Sequence, residues 1–231
     1  ITKAIDGAAA ISFPALDTRN VALYFPLVKQ IDLLRNGKEE LFVPCGIIAG
    51  IMARIDSTVG VWKAPAGSNA VMMGISGFQV VLNDRDNGLL NNSGINCLRN
   101  LRAHGHVIWG ARTFRVSLQV NDEFKYIPVR RTALFIEESI YRGIQWAVFE
   151  SNDEPLWTRL RTSIESFMHN LYRQGAFPGS TPKEAYFIRC GNDTISQNDI
   201  TQGKLNIIVG FAPLKPAEFV LIHFHLQVQF A

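Results

Sequence analysis

Apolar residues fall into two rhythms along this chain, and each rhythm predicts an element. Residues 21–28, with alternating Leu23 and Phe25, read as a strand that stops near Pro26. Asn36-Gly37 marks a turn. Pro44 then opens a helix in which Ile47, Ile51 and Ile55 share one stripe, with Ile48 and Met52 beside it. Gly46 and Gly50 lower helix propensity there, so close packing of another backbone is the expected return. Residues 57–77 read as loop and residues 83–93 as polar turns. Residues 95–101 and 107–114 read as strands, and residues 121–123 as a surface turn. Pro128 opens a second helix that carries Val129, Ala133, Ile136 and Ile140 and ends at Gly143. The continuous apolar run of residues 146–149 suits a strand covered on both faces. Asp153, Glu154 and Pro155 start the longest helix, where acidic residues complement the helix dipole, and Gly175 ends it. Residues 186–188, 205–211 and 220–230 read as further strands. The succession of strands and helices in the middle predicts a βαβ core with antiparallel additions. The fold class is therefore mixed α/β, α+β-like: a central mixed sheet with flanking helices.

The last strand is unusual. Val220, Ile222, Phe224, Leu226, Val228 and Phe230 alternate with Leu221, His223, His225, Gln227 and Gln229. The run is about twice the usual strand length of roughly 5–6 residues. One face is apolar throughout, so the run needs a sheet to join. It is either a terminal strand of its own sheet or an arm that adds a strand to a neighbouring subunit; periodicity leaves both open.

Composition sets bounds on the rest. The 231 residues are 47% hydrophobic and 19% charged, which suits a globular domain with a sizeable core. No apolar run approaches the twenty or so residues needed to span a bilayer. Lysine and arginine number 23 against 20 acidic residues, and a net charge of +3 is too weak to argue for nucleic acid. The first residue is Ile1 rather than methionine, so the chain reads as the rear part of a longer or processed one. Three cysteines without CxxC spacing read as reduced thiols.

Chemistry is hard to find. Gly74-Ile75-Ser76-Gly77-Phe78 misses the nucleophile elbow, because phenylalanine follows the second glycine. Asp84-Arg85-Asp86-Asn87-Gly88 departs from a calcium loop in its glycine position and lacks the closing glutamate. The His104/His106 and His223/His225 pairs have no third ligand at a recognisable spacing. No cofactor is expected. Residues 99–142 carry eight basic side chains against four acidic ones. Arg99, Arg112, Arg130 and Arg131 in that stretch are candidates for a charged subunit interface, or else members of a solvated face. In the longest helix, Leu156, Leu160, Ile164, Phe167 and Leu171 form the apolar stripe. Arg159, Thr162, Ser166, His169 and Arg173 cluster opposite, as a solvated face or a docking face.

Several phrases together are more specific. They are Val61-Trp62-Lys63-Ala64-Pro65-Ala66, Gly94-Ile95-Asn96 followed by Arg99, and Val107-Ile108-Trp109-Gly110-Ala111-Arg112-Thr113. Then come Val129-Arg130-Arg131, Ile136-Glu137-Glu138-Ser139-Ile140, Gln145-Trp146-Ala147-Val148-Phe149-Glu150 and Asn152-Asp153-Glu154-Pro155-Leu156-Trp157. Last is Lys215-Pro216-Ala217-Glu218-Phe219. In this order they resemble the C-terminal domain of contractile tail sheath proteins of phage tails, R-type pyocins and extracellular contractile injection systems. The resemblance implies a non-enzymatic subunit that stacks as hexameric rings around an inner tube and contracts to drive that tube through a target envelope. It implies sheath subunits, tube, baseplate and terminator proteins as partners, with no nucleic acid and no membrane insertion. It also implies assembly in the bacterial cytoplasm into a virion tail or tail-like particle. Carried onto this chain, residues 1–20 are a linker or arm remnant, 21–216 the sheath core and 217–231 a strand-exchange arm. The helix from Glu154 matches the tube-facing element. The alternatives are a small αβ enzyme and a monomeric binding module.

Overall fold

The computed structural model describes residues 2, 3, 6, 18–114 and 122–218. Its strands form three small sheets rather than one large one. In the first, β1 (Leu23–Phe25) lies parallel to the seven-residue β5 (Ile95–Leu101), which pairs antiparallel with β6 (Gly105–Trp109). In the second, β2 (Val28–Asp32) lies between β3 (Lys38–Phe42) and β4 (Gly77–Phe78), both antiparallel to it. The third pairs β7 (Tyr186–Arg189) with β8 (Ile208–Phe211), Tyr186 opposite Phe211. Six helices accompany them in this region: α1 (Cys45–Thr58), α2 (Asp84–Asn92), α3 (Ile127–Gly143), α4 (Glu154–Arg173), α5 (Pro182–Ala185) and α6 (Gln197–Thr201).

Local chemistry explains most of these boundaries. The strand expected over residues 21–28 divides at Pro26, which has no N–H to give a ladder. Asn36 and Gly37 take positive φ and turn β2 into β3. The Asp153 carboxylate caps α4 by accepting from the Leu156 N–H at 3.2 Å. Gly175, at φ +81°, ends the same helix with its N–H on the Tyr172 carbonyl at 2.9 Å.

Five expectations are corrected. Residues 83–93 are not polar turns but α2, started by a reciprocal capping box between Asn83 and Asp86. The strand at residues 107–114 stops at Trp109. Residues 146–149 are not a covered strand: Gln145–Ala147 is a single 3-10 turn, and Phe149 stands fully exposed at φ +71°. With that strand gone, the parallel pair is β1 with β5 rather than a βαβ unit in the middle. Gly46 and Gly50 lie on the exposed face of α1, with open space where a Cβ would project, so among the described residues no backbone packs there.

The buried residues separate into two halves. Val28, Ile48, Ile51, Ile55, Met72, Phe78, Leu98 and Ile108 form one cluster, and Leu82, Leu90, Ile95, Cys97 and Phe114 another. Ile136, Ile164, Met168, Leu171, Phe177 and Tyr186 form a third, and Leu156, Trp157, Leu160, Cys190 and Ile195 a fourth. Among the described residues, no cluster takes buried members from both sides of residues 114 and 122. The half-buried Trp62 bridges them by packing against the third cluster.

The exposure of Phe149 gives a first test. A non-glycine residue in the left-handed region costs about 1–2 kcal/mol. Phe149→Gly is expected to leave the Tm of the isolated chain unchanged or raise it, whereas truncating a buried strand phenylalanine costs ~3–5 kcal/mol.

Candidate functional site

The two halves meet at a polar junction built around Arg112. Asn96, fully buried on β5, accepts from the Arg112 N–H through Oδ1 at 2.7 Å. Its Nδ2 donates to the Arg112 carbonyl at 2.8 Å and to the Leu23 carbonyl at 3.0 Å. One carboxamide thus holds both main-chain groups of Arg112 and ties β1 to them. Gly110 is required beside it, because a Cβ there would sit 2.9 Å from Asn96 Cα and Oδ1. Losing Asn96 would orphan both buried main-chain groups of Arg112, at about 1–3 kcal/mol each, and release the half-buried Leu23 carbonyl.

With its backbone fixed, Arg112 presents its guanidinium to the far end of the chain. Nε donates to Glu218 Oε1 at 2.8 Å and Nη2 to Oε2 at 2.5 Å, while Nη1 donates to the Asn91 carbonyl at 2.8 Å. The Tyr126 hydroxyl donates to Glu218 Oε2 at 3.3 Å. Only 9% of the Arg112 side chain and 15% of the Glu218 side chain reach solvent, so the pair is screened little by salt. Burial pushes the Glu218 carboxyl up, but the Arg112 hydrogen bonds and charge, with Lys125 and Tyr126, outweigh it and hold the group below its ordinary 4.5. Burial, and then the Glu218 charge, pushes the Tyr126 phenol up, so it remains a donor.

Main-chain bonds cross the same boundary, from the Thr113 N–H to the Lys125 carbonyl and from the Ile127 N–H to the Ala111 carbonyl, both at 2.9 Å, and two arginine side chains join them. Arg131 on α3 makes a two-pronged pair with Asp56 on α1, with Nη1 at 2.9 Å from Oδ1. Arg130 donates from Nε to Asn20 Oδ1 at 2.7 Å and lies 5.1 Å over the Phe124 ring. Arg99 instead pairs within its own half, its Nη2 2.8 Å from Asp84 Oδ1. The structure therefore places all four candidate interface arginines in contacts inside the chain, and three of them at the junction. Asn96, Glu218, Asn91 and Asp56 were missed as functional residues. Asn96 and Glu218 fall inside the family-like phrases, but Arg112 and Glu218 stand 106 residues apart and no spacing announces their pairing.

The other candidates are placed as follows. Arg159, Thr162, Ser166, His169 and Arg173 are all exposed on α4, opposite its buried stripe of Leu156, Trp157, Leu160, Ile164, Met168 and Leu171. Arg159 stacks on Trp146, its Cζ 4.5 Å from the ring, so the exposed Trp146 adjoins this face, and the exposed Val148 and Phe149 follow it in the chain. His106 does not join His104; it packs edge-on against Phe78 at 5.1 Å. Val220, Ile222, Phe224, Leu226, Val228 and Phe230, with His223 and His225, lie outside the described residues.

The family described as phage tail sheath protein central domain matches residues 15–114, and the one described as phage tail sheath C-terminal domain matches residues 119–227. The chain belongs to the phage tail sheath family. The two matches meet where the buried clusters divide, so the Arg112–Glu218 pair joins the sheath central domain to the sheath C-terminal domain. The sheath of an extracellular contractile injection system, PVC, in its contracted state is similar at a TM-score of 0.85 and 33% identity, covering 99% of this chain and 61% of that one. The contracted helical sheath of the anti-feeding prophage is similar at a TM-score of 0.81 and 36% identity, covering 94% and 58%. The tail sheath protein of Vibrio phage KVP40 is 28% identical over 131 residues, 56% of this chain and 19% of that protein. This sheath chain thus spans less than two thirds of the length of each.

The depressed Glu218 fixes the sign of an acid effect. A carboxyl held below its ordinary value contributes stability above that value and loses it as pH falls through the folded one. The Tm of the wild type is expected to fall more steeply than that of Glu218→Gln as pH drops below 4.5. Parallel curves in a thermal melt series would remove the ion pair from the stability of the junction.

Proposed function

We propose that this chain is part of a structural subunit that polymerises with its own copies as stacked hexameric rings around an inner tube. The rings contract and drive the tube through a target envelope. The observation that carries this reading is the pair of sheath-domain matches running end to end over residues 15–114 and 119–227. Sheaths in a contracted state among the similar structures support it. In this reading the subunit catalyses nothing. It is assembled in the bacterial cytoplasm, and baseplate and terminator proteins close the ends of the stack.

Two surfaces give the reading a mechanism. Residues 220–230 serve as an arm that adds a strand to a neighbour, which supplies main-chain hydrogen bonds that survive rigid rotation of the subunit. The sheet of β7 and β8 suits the receiving role. Two strands are marginal alone, no third described strand covers either edge, and Phe187 and Ile208 remain half exposed. The outer face of α4, from Arg159 to Arg173, serves as the tube-facing surface, enlarged by Trp146.

Deleting residues 220–231 is expected to leave a folded chain that no longer polymerises; normal sheaths in electron micrographs of that truncation would refute the arm. Reversing charge at Arg159 and Arg173 together is expected to weaken sedimentation with tubes while sheath–sheath contacts persist. Unchanged co-sedimentation would remove α4 from the tube interface.

A further inference from the structure

We propose that the Arg112–Glu218 clasp fixes the point and direction at which the C-terminal arm leaves its own subunit, so that tension on the arm enters the central domain instead of peeling β8 from β7. This rests on the arm reading above. Glu218 stands two residues before the alternating run that begins at Val220. Upstream, the last backbone hydrogen bond among the described residues runs from the Ala212 N–H to the Ala185 carbonyl at 2.8 Å. Residues 213–218 then form a strap along a cavity of about 530 Å³, whose walls include Trp62, Asn91, Trp109 and Gly110. Pro213 and Pro216 have no N–H to offer, and none of residues 213–217 is buried. The Glu218 carboxylate is the polar tether of this strap among the described residues.

The geometry of the tether matters as much as its presence. A single hydrogen bond lets a segment swivel, whereas two parallel N–H···O bonds from a guanidinium fork set orientation as well as position. The fork itself cannot drift, because Asn96 holds both main-chain groups of Arg112 and the Asn91 carbonyl holds Nη1. Arg112 also belongs to the half opposite the arm's own sheet. A pull on residue 219 therefore loads β5 through Arg112 and Asn96. Without the clasp, the same pull passes along a strap with no other polar hold to Ala212 and Phe211, at the end of β8. From there a two-stranded ladder opens one bond at a time.

The test uses the full protein with three variants: Glu218→Gln, Tyr126→Phe and the deletion of residues 220–231. Glu218→Gln keeps the shape but loses the charge. Tyr126→Phe removes one bond from Glu218 and leaves Arg112 paired, so it remains informative if the first variant folds poorly. The readouts are the critical concentration for polymerisation and hydrogen exchange of the Ile208–Phe211 amides in free and assembled protein. Expected for Glu218→Gln is a critical concentration raised about tenfold, the worth of one charge-assisted bond. Faster exchange of β8 is expected in the assembled state only. Tyr126→Phe should move the same way by about twofold, as a neutral bond of weaker geometry does. If both point variants assemble and exchange like wild type while the deletion abolishes assembly, the clasp inference is overturned and the arm reading stands. If the deletion itself assembles normally, the arm reading fails and the clasp inference falls with it.

Discussion

The clasp that joins the central half of this chain to the strap before its C-terminal run depends on one buried carboxamide. Asn96 has no exposed surface and spends three hydrogen bonds on main-chain groups, two of them on Arg112. Those bonds aim the Arg112 guanidinium at Glu218, more than a hundred residues away in the chain. The hydrophobic clusters stop at the boundary on either side. The halves are therefore joined by a small set of directional contacts, with Trp62 as the apolar bridge. The approach of Gly110 to Asn96 shows how little room this leaves.

A polar junction has different mechanical properties from an apolar one. Apolar packing is non-directional and tolerates sliding, whereas a forked ion pair works in one geometry and becomes costly when half of it is removed. Arg112–Glu218 and Arg131–Asp56 are both two-pronged, so they resist rotation of one half against the other. Under the proposed function this is a useful property. A subunit that swings as a rigid body needs its arm and its body to keep a fixed angle while contacts between subunits change. In that proposal neither half needs to be soft.

The local elements were largely legible in the sequence and the junction was not. Helix α4 could be read almost to the residue, because Asp153, Pro155 and Gly175 mark its ends and the apolar stripe has one period. The exposure of Arg159, Thr162, Ser166, His169 and Arg173 followed from the same period. Residues 83–93 misled because polar composition hid a helix whose signal was a capping box, Asn83 to Asp86. Residues 146–149 misled because hydrophobicity does not by itself mean burial, and Phe149 stands in solvent. The four arginines drew notice as charge, yet charge counting does not say which acid each will find. Arg112 meets Glu218 only because β5, β6 and the terminal strap converge, and that is tertiary geometry.

Electron cryo-microscopy of the assembled particle bears most directly on the central claim, that the junction anchors the arm in the subunit's own central domain. The account predicts density in which Glu218 and Arg112 of one subunit remain paired while the residues after 219 cross to a neighbour's β7–β8 edge. Density in which those residues fold back onto their own subunit, or in which Glu218 has left Arg112 in the assembled state, would contradict it.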